Sequence, residues 1–173
     1  MTILPMPNPE REAAFRALLR AHQGSLRRLA ASYAGATSEQ EDLLQEIALA
    51  LWLALPGFRG ESSEKTFLFR IAQNRCISHI ARRRPVESLD GLEIDPADPA
   101  KGPDALVSDA EQSSHLLQAV RRLPLIHRQV IVLALEDLEY GEIAAVLGIT
   151  ETNVGVRLNR ARARLRKLMG DPA

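Results

Sequence analysis

The residues with the most evident chemistry lie near the end of the chain. Between Thr152 and Met169 there are six basic side chains and no acidic one: Arg157, Arg160, Arg162, Arg164, Arg166 and Lys167. Guanidinium groups at this density suit a polyanion, through forked hydrogen bonds to phosphate and release of condensed counterions. Rival chemistries find little support. His22, His79, His115 and His127 are scattered without metal-ligand spacing, and neither a Gly-rich phosphate loop nor a nucleophile with a paired base occurs. Cys76 is the only cysteine, which excludes an intrachain disulfide and suits a small buried apolar residue. No cofactor, metal or catalytic step is expected.

Something must hold those cations against the polyanion, and residues 139 to 168 have the pattern for it. Ile143, Leu147, Ile149, Val154 and Leu158 are spaced to fill the core between two short helices. Ala144 is small where the helices cross, and Gly148 permits a left-handed turn. Thr150 is placed to cap the second helix. The pattern predicts a helix-turn-helix, with Thr152, Asn153, Val156, Asn159 and Arg160 toward the major groove and Arg157, Arg162 and Arg164 on phosphates.

The rest of the chain reads as helices too. Only 4% of residues are aromatic while 46% are hydrophobic, with Leu, Ala and Arg abundant, which favours helix over strand and predicts an all-α protein. Phe15, Leu18, Leu19, His22, Leu26, Leu29 and Tyr33 mark one face of a helix from about Glu10 to Tyr33. Ser38 and Glu41 form a candidate capping box for a second, carrying Leu43, Leu44, Ile47, Leu51 and Leu55 up to Pro56-Gly57. A third carries Phe67, Leu68, Ile71, Ala72 and Ile80 and ends at Arg82-Arg83-Arg84. Leu116 to Leu123, and the stretch around Val130 to Ala134, give two short helices before the helix-turn-helix.

A formal net charge of zero conceals a segregation along the chain. Residues 1–84 carry 12 basic and 8 acidic side chains, residues 85–109 carry 1 and 7, and residues 110–173 carry 9 and 7. The acidic middle holds Pro85, Pro96, Pro99 and Pro103 with little periodicity, so it reads as a flexible linker. Two small helical domains follow: a bundle over 10–84 and a four-helix domain over 110–169. Met1 to Pro9 lacks a signal-peptide pattern, and no apolar run approaches the ~20 residues that span a bilayer, so a cytoplasmic protein is expected.

With these motifs assembled, the chain resembles the bacterial sigma factors of RNA polymerase, in their small extracytoplasmic-function class. The resemblance rests on Glu41-Asp42-Leu43-Leu44-Gln45-Glu46, Leu51-Trp52, Phe58-Arg59-Gly60 and Thr66 to Asn74 in the first half. In the second it rests on Leu123-Pro124, Arg128-Gln129, Val130, the helix-turn-helix and Arg160 to Leu165. It implies region 2 over 10–84 and region 4 over 110–169. Asp42, Gln45, Glu46 and Leu49 would dock the clamp helices of the polymerase beta-prime subunit. Phe58, Arg59 and Ser62 would lie in a loop that captures a flipped minus-ten base, beside Phe67, Phe69, Arg70, Asn74 and Arg75. Arg82, Arg83 and Arg84 would approach duplex phosphates, and the helix-turn-helix would hold the minus-thirty-five duplex. An anti-sigma protein is a further implied partner.

The chain departs from the family pattern at Phe67, where Trp is usual, at Ser78, where an acid is common, and at Gly155-Val156, where a basic residue and Ser are frequent. The competing expectation is a stand-alone helix-turn-helix repressor or activator, which would bind a palindromic operator unaided as a dimer.

Overall fold

The computed structural model describes residues 8–83 and 109–170, and every regular element among them is helical. The order is α1 (Pro9–Tyr33), α2 (Thr37–Ala54), a single 3-10 turn (Leu55–Gly57), α3 (Glu64–Arg83), α4 (Asp109–Arg121), α5 (Leu125–Leu135), α6 (Tyr140–Leu147) and α7 (Glu151–Leu168). Arg84 and the expected linker up to residue 108 lie outside the described residues.

Local signals explain most of these bounds. Asn8 caps α1, its side-chain oxygen accepting from the backbone N–H of Glu10 and Arg11, and Pro9 follows where its missing N–H costs nothing. Ser63 caps α3 by accepting from Thr66 N at 3.0 Å. The capping box expected at Ser38 does not form. Helix α2 starts two residues earlier than that cap would set it, at Thr37, with Ala36 as its uncapped boundary. The chain reversal that follows the buried Ala34 fixes that start, and Gln40 ties it down by donating to Ala34 O at 3.1 Å. Packing outweighed a cap worth about 1 kcal/mol.

The first three helices close over Leu18, Leu26, Leu29, Leu43, Ile47, Leu51, Leu68, Phe69, Ala72 and Cys76, all buried. Each such large side chain contributes ~1.5–3 kcal/mol of apolar burial. Within this core Gln73 donates to the Tyr33 hydroxyl at 2.6 Å, and burial pushes that phenol far above its usual range. The Cys76 thiol is likewise pushed up by burial, so it stays protonated and unreactive.

The last four helices enclose Val120, Leu123, Val130, Ile131, Leu133, Ile143, Val146, Val154, Leu158 and Ala161. Buried Arg128 belongs here, donating to the carbonyls of Leu123 (3.1 Å) and Arg121 at the end of α4. The two helical groups touch: α4 and α5 lie on α1, and α6 lies on α3. Among the described residues, no helix is long and apolar enough to cross a membrane.

Candidate nucleic-acid interface and partner surface

The loop between α2 and α3 carries Phe58, Arg59 and Ser62. Gly60 turns it at φ +72, a conformation that disfavours a side chain. The Phe58 ring lies 4.5 Å from that of Phe67 on α3, tilted by 35°, and both rings remain half-exposed. A full turn and two turns further along α3, Arg70 and Asn74 are exposed on the same side as Phe67, with exposed Arg75 on an adjacent flank. Phe69, two residues from Phe67, is fully buried instead. The pair of open rings, an amide and a cation is the surface that an unstacked base and its backbone require.

Arg82 and Arg83 are not free cations. Arg82 meets Glu46 of α2 at 2.5 Å and Arg83 meets Glu39, an acid that sequence reasoning passed over. The pairing with Arg83 holds the Glu39 carboxyl below its usual range. Both arginines stay more than half exposed, so these pairs are of the weak, salt-sensitive kind and can be exchanged for phosphate.

On α2, Asp42, Gln45 and Leu49 are exposed at three- and four-residue steps, whereas Glu46 is half-buried and held by Arg82. Leu49 is 60% exposed, and Leu53, four residues on, is 68% exposed. Leu53 extends the same stripe; the step of four was the signal that could have found it. At the end of the stripe Trp52 packs edge-on against Phe15 at 5.2 Å, with the Arg11 guanidinium 3.9 Å above its ring. An apolar ridge flanked by acid and amide, left uncovered in the folded chain, is a surface for a protein partner.

The helix-turn-helix has the bounds its sequence demanded. Helix α6 ends at Leu147, Gly148 takes φ +67 and ψ 36, and Thr150 caps α7 by accepting from Asn153 N at 3.2 Å. Ile143, Val154 and Leu158 are fully buried, with Ala144, Leu147 and Ile149 packed partly buried beside them. Val146 is buried as well, a core position the spacing argument left out. Thr152, Val156, Asn159, Arg160, Arg162 and Arg164 are exposed, but Asn153 and Arg157 are half-buried and occupied with each other, Arg157 Nε donating to Asn153 Oδ1 at 3.0 Å. Gly155 lies beside the Tyr140 ring, where an added Cβ would make ordinary contact at 3.5 Å.

His127, at the start of α5, faces the same basic flank. It is buried, with Nδ1 unpartnered, and its pKa is lowered by desolvation first and then by Arg164, Arg160 and Arg157. The unfolded chain therefore holds that proton more tightly than the folded one. The neutral ring's contribution is full above the ordinary histidine range near pH 6.5 and is lost progressively as pH falls from there through the lowered value of the folded state. Urea denaturation at pH 7.5 and 5.5 should show stability falling at the lower pH, and His127→Gln should flatten that dependence. Equal pH slopes for the two proteins would refute the assignment.

A helical lobe with half-buried aromatic rings beside a second lobe with a helix-turn-helix and a basic flank has the make-up of a DNA-binding protein. Comparison with known proteins gives the family. Residues 18–86 match the family model described as Sigma-70 region 2, and residues 114–165 match Sigma-70, region 4. The RNA polymerase sigma factor NccH of Alcaligenes xylosoxydans xylosoxydans is 30% identical over 162 residues, covering 90% of this chain and 87% of that protein. The ECF RNA polymerase sigma factor SigW of Bacillus subtilis is 31% identical over 147 residues, covering 79% of each. A solved structure of the sigma factor RpoE of Bartonella quintana, in complex with the anti-sigma factor NepR, superposes with a TM-score of 0.69 over 92% of this chain and 99% of that one, at 24% identity. The chain belongs to the RNA polymerase sigma factors, in their extracytoplasmic-function (ECF) class. Proteins of this class are regulatory subunits that direct RNA polymerase to promoters.

Proposed function

We propose that residues 10–84 bind core RNA polymerase and open the minus-ten DNA, that residues 110–169 hold the minus-thirty-five duplex, and that the acidic segment 85–109 links them. The observation that carries this reading is the half-buried Phe58–Phe67 pair in line with exposed Arg70 and Asn74. Melting needs stacking surfaces for bases that leave the helix, and both rings keep part of their surface open, although Phe67 also packs against the core. Arg59, Ser62 and Arg75 line the same approach, and Arg82 and Arg83 exchange Glu46 and Glu39 for upstream phosphates. Asp42, Gln45, Glu46 and Leu49, extended by Leu53, dock the polymerase clamp helices. On α7, Thr152, Val156, Asn159 and Arg160 read the groove, Asn153 and Arg157 act as one hydrogen-bonded unit, and Arg162 and Arg164 contact phosphates.

No catalytic step belongs to this chain, and it works in the cytoplasm, where its polymerase is. An anti-sigma factor is its natural antagonist, as NepR is the partner of the Bartonella protein. Reconstitution with core polymerase and sequencing of run-off transcripts tests the reading. Defined start sites preceded by common minus-ten and minus-thirty-five sequences are expected. A protein that ignores core polymerase and occupies palindromic duplex by itself would be a stand-alone repressor, and the proposal would fall.

A further inference from the structure

Helix α7 packs on α4, α5 and α6, and on its open side Thr152, Val156 and Asn159 are exposed at three- and four-residue steps with Gly155 between them. The ionised groups of its first two turns lie against the protein. Arg157 is half-buried, its Nε donating to Asn153 Oδ1 at 3.0 Å. Glu151 lies against Gly141, where an added Cβ would stand 3.2 Å from its carboxylate oxygen. The other basic residues of the helix begin at Arg160, a turn beyond Val156.

What these first two turns hold out instead is apolar. Val156 is 43% exposed, and Tyr140, the first residue of α6, is 42% exposed. The Tyr140 ring comes within 3.5 Å of the place where a Cβ of Gly155 would be. A glycine at that position leaves the ring open beside the recognition helix, one residue from Val156. The two surfaces, from two different helices, form a patch without a hydrogen-bonding group over residues 155 and 156 except the phenol at its edge.

Apolar groups in the major groove have a defined preference among bases. Guanine presents N7 and O6 there, adenine N7 and N6, and cytosine N4, each of which loses water against an apolar patch and gains no partner. Thymine presents its 5-methyl group, which such a patch encloses favourably.

We propose that Val156 and the Tyr140 ring select thymine, so that the duplex element held by α7 carries A·T pairs where it faces residues 155 and 156. Tyr140 thereby becomes a specificity-determining residue contributed by the helix before the recognition helix. The inference rests on the reading above that α7 enters the groove of duplex DNA, and it names the base chemistry of that site. Enclosing one methyl carbon is worth about 4-fold in affinity.

The test uses the full chain, alone and assembled with core polymerase, to select from duplexes randomised over the minus-thirty-five region. Each thymine of the selected element is then replaced by deoxyuridine, which lacks only the methyl group. Expected are one or two thymines whose replacement weakens wild-type binding about 4-fold each, and loss of that sensitivity in Val156→Ser and Tyr140→Ser, with circular dichroism confirming that both keep their helices. Gly155→Arg should cover the ring and move selection at that base pair from thymine to guanine, the base that a guanidinium matches through O6 and N7. No selected element, an element without thymine, deoxyuridine bound as tightly as thymine, or undiminished sensitivity in Val156→Ser overturns the proposal. If the chain alone selects methyl-dependent thymines but never binds core polymerase, the thymine preference stands and the sigma-factor reading fails instead.

Discussion

Phe69→Ala will lower the unfolding free energy of the chain by about 3–5 kcal/mol, the range for emptying a fully enclosed aromatic site. Phe69 has no exposed surface and is among the largest fully buried side chains of the protein. Its neighbours Leu68, Ala72 and Cys76 are equally enclosed, so little of the cavity can be filled by relaxation. Urea denaturation followed by circular dichroism measures the loss directly. A cost below ~1 kcal/mol would mean that the side chain is not packed as described. Because the bundle over 10–84 would be weakened as a whole, core binding and promoter opening should decline together in this variant.

The opposite separation is expected two residues away. Phe58→Ala combined with Phe67→Ala removes the half-buried ring pair, whose centroids are 4.5 Å apart. Each base that loses an aromatic stacking partner loses ~1–3 kcal/mol, so opening should fall about 5- to 150-fold per base affected. Permanganate reactivity of minus-ten thymines reads the opening, and titration with core polymerase reads the docking that should remain unchanged. Asn74→Ala should behave in the same direction with a smaller effect. Retention of full opening by the double variant would remove the rings from the melting step and leave them as packing residues.

Phe67 and Phe69 show where the sequence was ambiguous. A count of apolar residues takes both into the core of α3, yet positions two apart point to nearly opposite sides of a helix. Which side is covered depends on where α1 and α2 lie, and no residue of α3 encodes that alone. Ser38 makes the same point at smaller scale: the capping pattern was present, and a tertiary reversal at buried Ala34 started the helix elsewhere.

Much of the rest was legible because its causes act within one turn of helix. The bounds of α6, the left-handed Gly148 and the Thr150 cap follow from contacts no more than four residues apart. The apolar periodicities of α1, α2 and α7 depend on nothing more distant, so the helices of the described residues, the helix-turn-helix and its basic flank belong to the sequence read by itself. Only the tertiary structure decided that Arg82 and Arg83 meet Glu46 and Glu39, that Leu53 joins Leu49 in the open, and that Arg28 reaches Glu136 across 108 residues of chain. The physical reason is range. Periodicity and capping are set by the backbone's own geometry, whereas partners far apart in the chain are chosen by the packing of whole helices, where burial energies exceed any single cap or surface ion pair.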